Sequence, residues 1–218
     1  MNIPPPKLPT ISKEATLPAL RKRSITLAAC LTLVLGGRLA GAATITFSEL
    51  PNQPVNGLTF QNIAFGFTVG SLASTDARYN SVALGSNTTL NLQAGTLEGD
   101  ASGLLTLDFI QPISDLTFDL ARLTSQNLTG ATVSLFDSSL TGFASTPVSV
   151  SKLVTFSEGQ FAYHGGTPVK RAVVSFSPAA GPRFAIDNLN TTVVPEPGTV
   201  LFGALVTSVC ATARTRRR

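Results

Sequence analysis

From Thr44 onward, apolar side chains recur at every second position. In "LLTLDF", Leu105, Leu107 and Phe109 point one way and Thr106 and Asp108 the other. "LTFDL" repeats the pattern, with Leu116, Phe118 and Leu120 set against Thr117 and Asp119. "ATVSLFD" and "AVVSF" continue it through Val133 and Leu135, then Ala172, Val174 and Phe176. Such alternation marks a strand with one buried face, because successive side chains leave opposite sides of a sheet. Turn-forming clusters divide the strands: "PNQPVNG", "GSNTT", "EGDASG", "QPIS" and "SPAAGP". No window between Ala43 and Val194 sustains a helical stripe. Regularly spaced strands with Gly and Pro between them predict an all-β domain, a β-sandwich or jelly roll.

Both ends break the pattern. Arg21-Lys22-Arg23 precede the apolar run "SITLAACLTLVLGG", and small residues follow at Ala40, Gly41, Ala42 and Ala43. A basic start, an apolar stretch and an Ala-x-Ala site form the order of a secretory signal, with cleavage after Ala42 or Ala43. The run is short for a transmembrane anchor, which needs about 20 residues. "LAAC" at Leu27 to Cys30 has the look of a lipoprotein box, yet it nearly abuts Arg23 and would leave most of the apolar run beyond the cut. The stretch upstream, "MNIPPPKLPTISKEATLPAL", is long and proline-rich for a signal.

At the other end, Thr199 to Ala213 is mostly apolar. As a helix it would reach about 22 Å at 1.5 Å per residue, marginal against a bilayer core of roughly 30 Å. Pro195 and Pro197 bar a smooth helix from entering out of the domain. Arg214, Arg216, Arg217 and Arg218 would stay on the cytoplasmic side, leaving the domain outside. That terminal arginine cluster also argues against a lipid-anchor signal. Three segments result: leader and signal over 1–42, a β domain over 43–193, and a membrane-engaging tail over 194–218.

The net charge of +4 and pI near 9.4 invite a nucleic-acid reading until the charge is located. Six of the 16 Lys and Arg lie in the leader segment and four at the extreme C-terminus. Between Ala43 and Val194, the remaining six (Arg78, Arg122, Lys152, Lys170, Arg171 and Arg183) face ten Asp and Glu. The domain is mildly acidic, and its basic ends are of the kind that orient chains at membranes, so nucleic acid is excluded as a partner. The two cysteines, Cys30 and Cys210, both lie in the terminal apolar runs, which leaves the domain without a disulfide or a thiolate metal site.

Candidate chemistry is sparse. The single histidine, His164 in "AYHGGT", sits in a stretch like an esterase oxyanion loop, but no G-x-S-x-G accompanies it and it reads as a polar turn. Calcium takes carboxylate and carbonyl oxygens from loops. Its candidate ligands are Glu49, ending "ATITFSEL", and Asp187, in "FAIDNLN", which would meet if the first and last strands adjoin. Glu49, Glu98 and Glu158 form no recognisable acid–base pair for glycoside hydrolysis. Arg78-Tyr79 and Tyr163-His164 are polar–aromatic pairs expected in loops, of a kind that stacks on and hydrogen-bonds sugars. Asn87, Asn127 and Asn190 begin N-x-Thr sequons.

The tail "VPEPGTVLFGALVTSVCATARTRRR" resembles the PEP-CTERM sorting signal of Gram-negative bacteria. Pro195, Glu196 and Pro197 match its motif, followed by an apolar helix and a basic end with Arg216, Arg217 and Arg218. Cys210, Thr207 and Ser208 depart from the usual Leu, Gly and Ala of that helix. The resemblance implies handling by an exosortase at the inner membrane, then release or transfer to the cell surface, with an association with exopolysaccharide and biofilm. The middle, with "ITFSEL" early and "FAIDNL" late, is similar to the lectin-like β-sandwich bodies that such proteins carry. The expected function is thus a non-enzymatic surface or matrix protein. The alternatives are a carbohydrate-binding module for extracellular polysaccharide, with or without calcium, and a secreted hydrolase.

Overall fold

The computed structural model describes residues 41–81, 91–93 and 95–195. Leu39–Pro195 forms one compact unit. The apolar run of the leader, the "GSNTT" turn with Asn87, and the tail residues Glu196, Pro197, Arg216, Arg217 and Arg218 lie outside the described residues. Among the described residues no helix is long and apolar enough to cross a membrane.

Among the described residues twelve strands carry the fold: β1 (Ala42–Ile45), β2 (Gln53–Pro54), β3 (Thr59–Phe60), β4 (Ile63–Val69), β5 (Leu72–Ala73), β6 (Arg78–Ser81), β7 (Thr96–Asp100), β8 (Gly103–Arg122), β9 (Leu128–Phe136), β10 (Gly142–Lys152), β11 (Ser157–Phe176) and β12 (Arg183–Val193). One 3-10 turn, Pro178–Ala180, falls in the expected "SPAAGP" break. Every pairing is antiparallel.

Two 20-residue strands, β8 and β11, organise the rest. Their halves pair with different neighbours. The first half of β8 pairs with β4, and the second half of β11 with β9, which pairs in turn with β10. The second half of β8 pairs with β12, whose far edge is shared by β7 and β1. β8 and β11 stay paired with each other throughout, through an irregular stretch between His164 and Arg171. They therefore bend from one layer into the other, as in a β-sandwich.

The alternation seen in the sequence decides what lies between the layers. Leu105, Leu107, Phe109, Leu116, Phe118 and Leu120 of β8 are all buried. Phe184 of β12 stacks on Phe176 of β11, with ring centroids 3.6 Å apart, and meets Phe67 of β4 at 5.9 Å. These contacts join the two layers, and each buried ring is worth about 1.5–3 kcal/mol of apolar transfer.

Three sequence expectations are corrected. "QPIS" does not end a strand but is the bend inside β8. "AYHGGT" is not a turn but the irregular middle of β11, where Gly165 and Gly166 have no ladder partner on β8. Arg78 and Tyr79 lie in β6, and Tyr79 is fully buried.

Candidate functional site

The outward positions of the second layer form a polar grid. On β8 they are Asp115, Thr117 and Asp119, alternating with core-facing Leu116, Phe118 and Leu120. Register sets His164 beside Asp115, Ala162 beside Thr117 and Gln160 beside Asp119 on β11. On the other side stand Thr192 and Asn190 of β12, and beyond them Ala42 and Thr44 of β1. Two adjoining clefts of about 290 and 350 Å³ open on this grid and share Thr117 and Asn190.

A β-bulge shapes the first cleft. β12 keeps register with β8 at Asp187 and again at Asn190, with one extra residue between. Asn188 takes a left-handed backbone there, with φ of 51°, a conformation that asparagine tolerates better than most residues. Its amide Nδ2 donates to Asp119 Oδ2 at 2.7 Å and to the carbonyl of Asn91 at 3.0 Å. Gln160 Nε2 donates to Asp119 Oδ1 at 2.7 Å. Asp119 is thus held rigid by two side-chain amides, is 7% exposed, and lines the cleft. Asn190 Nδ2 donates to the Thr117 hydroxyl and to the Asn188 carbonyl, and the Thr44 hydroxyl donates to Asn190 Oδ1. In the second cleft His164 Nδ1 lies 2.9 Å from Asp115 Oδ1. The Ser114 hydroxyl and then His164 hold Asp115 below the ordinary carboxylate range.

Residues 91–93 cover the upper end of the same face. Leu92 packs with Ala121, Phe156 and Ala185 in a small separate core. Carboxylates staple this segment down: the Asn91 N–H donates to Glu158 Oε2 and the Gln93 N–H to Asp187 Oδ2, each at 2.8 Å. Asp187 also accepts the Asn188 N–H and is fully buried. Burial pushes its carboxyl up to about 6 against those two N–H groups, and the charges of Asp119 and Glu49 add to the rise.

The calcium candidates are therefore brought within electrostatic reach, since β1 adjoins β12 as expected. Each has its own hydrogen-bond partners. Glu49 accepts the N–H and hydroxyl of Thr46 and the hydroxyl of Tyr79. Burial opposes its ionisation, but the bonds from Tyr79 and Thr46 outweigh this and hold its pKa below the ordinary carboxylate value. Among the described residues no group of three or more His, Cys, Asp or Glu side chains could hold a metal ion. Elsewhere, Glu98 is buried against Arg183 and Ser81, and Tyr163 donates to the Thr167 carbonyl and packs on Phe143. Neither residue lines the grid. The cleft-lining residues that sequence reasoning did not single out as a site are Gln160, Asn188, Asn190 and Thr44. Gln160 and Thr44 signalled themselves only by an outward phase within strands, and the bulge at Asn188 hid the phase of its own stretch.

No known family and no curated protein matches the sequence. Among solved structures, the chain is similar to a family 29 carbohydrate-binding module at 13% identity and a TM-score of 0.37, covering 71% of this chain and 90% of that one. It is similar to a mutant of the module CBM29-2 at 13% identity and a TM-score of 0.38, covering 71% and 87%. It is also similar to the K3 cleaved adhesin domain of Lys-gingipain from Porphyromonas gingivalis at 13% identity and a TM-score of 0.37, covering 70% and 99%.

Proposed function

We propose that the chain is an exported, non-enzymatic surface or matrix protein whose domain, a lectin-like jelly roll, binds extracellular polysaccharide on the polar grid. The observation that carries this reading is the rigid row of Gln160, Asp119, Asn188, Asn190 and Thr44 along open clefts. Polar groups fixed by mutual hydrogen bonds lose little entropy when a hydroxylated ligand arrives, and preorganisation of this kind converts contacts into affinity. Side-chain amides and carboxylates supply both donors and acceptors, which is what a hydroxyl needs. A glycan array probed with the full-length protein tests the reading, run with and without calcium. Binding that falls in a Gln160→Ala, Asn190→Ala double variant supports it, and an array blank under both conditions counts against it.

A second reading concerns sorting, and the placement of the chain ends favours it. The Val193 N–H donates to the Gly41 carbonyl at 3.1 Å, so chain enters and leaves the domain side by side. A cleaved leader would deliver such a domain across the inner membrane, and the Pro-Glu-Pro tail would then hold it by that end for exosortase. Replacing Pro195, Glu196 and Pro197 with alanine in the native host should block processing. Unchanged size and localisation would contradict it.

A further inference from the structure

We propose that the polar grid takes a polysaccharide bearing free amino groups, a polycation, in preference to a neutral or uronate polymer. This rests on the polysaccharide-binding reading and names the ligand class for the same face.

The argument begins with uncompensated charge. Asp119 is 93% buried by its 7% exposure, and both its oxygens accept hydrogen bonds from neutral amides only. A buried carboxylate ordinarily stands with a cation. Neither Lys nor Arg lines either cleft. Five of the domain's six cations are engaged elsewhere, and the sixth, Lys152, ends β10 and lines neither cleft. Arg122 points into the core, donating to backbone carbonyls. Arg183 pairs with Asp76 and Glu98, and Arg171 with Asp108. Lys170 donates to the Ile110 carbonyl and Arg78 to Asn52. The residues outside the described set between 82 and 94 carry no charge at all.

Carboxyl groups, not cations, stand behind the grid. Asp187 and Glu158 lie on the same outward side under residues 91–93, and Glu49 is close enough to raise Asp187. Asp115 opens a second anionic position, about 13 Å from Asp119 at roughly 3.3 Å per strand residue. A chain of a few sugar units spans that interval. His164, the one group there able to gain positive charge, is already placed on Asp115. A ligand ammonium beside Asp119 would supply the counter-ion the fold omits, through a charge-assisted hydrogen bond. A uronate would meet like charge at Asp119.

Isothermal titration of the full-length protein decides the matter, using glucosamine hexamer, its fully N-acetylated counterpart and a galacturonate oligomer at mildly acidic pH and low salt. The expected result is binding of the glucosamine hexamer about tenfold tighter than the acetylated one, the difference between a charged and a neutral hydrogen bond. That preference should shrink with added salt and in Asp119→Asn. It should also shrink in Asp115→Asn, a half-buried position outside the Asp119 network. Equal binding of acetylated and free hexamers, tighter binding of the galacturonate, or a preference unchanged in both variants would overturn the proposal while leaving polysaccharide binding in place. Binding of the acetylated hexamer only with added calcium would overturn it in favour of a bridging cation. No binding to any oligomer would remove both readings.

Discussion

Arg122 holds a position that cations rarely take. It is fully buried, and its guanidinium donates to the carbonyls of Gly130, Ser177, Gly181 and Arg183. Its charged carbon lies 5.7 Å from the centre of the Phe176 ring. Burial lowers its pKa to about 10, which leaves it charged at neutral pH. Gly181 completes the nest: its φ is 96°, and a Cβ there would fall 2.1 Å from the Leu123 carbonyl oxygen. Arg122→Met keeps the volume but orphans these carbonyls, so a loss of about 3–5 kcal/mol in urea unfolding is expected. Asp187 gives a different signature. Its folded value of about 6 lies above the ordinary 3.8, so between these the native state binds more protons than the unfolded one. Its contribution to stability therefore grows as pH falls through that window and declines as pH rises. Wild type should gain stability relative to Asp187→Asn between pH 7 and pH 4, as read by paired urea titrations at about those two values. A carboxyl resonance titrating near the ordinary value would contradict the assignment.

At the scale of elements, the bend in β8 shows how a strand changes layer without losing its backbone partners. At Gln111 the ladder is taken over by a side chain: Asn62 Nδ2 donates to the Gln111 carbonyl, and the Gln111 N–H donates to Asn62 Oδ1, both at 2.8 Å. Pro112 follows with no N–H to satisfy, and its carbonyl accepts the Val194 N–H. Asn62→Ala should cost about 1–3 kcal/mol by leaving both groups part-buried and unpaired, with faster amide exchange at Gln111 as the local readout. The sequence displayed the alternation on either side of this point but not its continuity. Pro and Ser in "QPIS" read as a break, because the residue that mends it is 49 positions away. "AYHGGT" misled for a related reason. Two glycines signal a turn locally, whereas here they occupy the irregular middle of a long strand paired with β8 on both sides.

For the whole molecule, two features face each other across the sequence and meet in space. The first strand pairs with the last, which brings both chain exits to one end and sets Thr44 on Asn190, 146 residues apart. The strand phase and the layered architecture were legible because burial imposes a period of two on every strand. The carboxylates Glu49 and Asp187 were legible as unusual, since each interrupts or follows an apolar run. Their company was not. Gln160 meets Asp119 across 41 residues and Asn190 meets Thr117 across 73, and such pairings depend on register, which a bulge at Asn188 shifts by one. The charge pattern carried more than it first showed: ten acids against six cations in the domain becomes meaningful once none of the six cations is found lining the clefts, with Arg122 turned inward and Arg171 and Arg183 paired with other acids.

The central claim is that the face built by β1, β12, β8 and β11 is where polysaccharide binds. Hydrogen–deuterium exchange of the full-length protein, with and without a saturating amount of whichever of the three oligomers binds tightest, tests it most directly. Slowed exchange confined to peptides covering Ala42–Ile45, the second half of β8, Ser157–His164 and Asn188–Val193 is the predicted footprint. No footprint, or one over β4, β9 and β10 in the opposite layer, would contradict it.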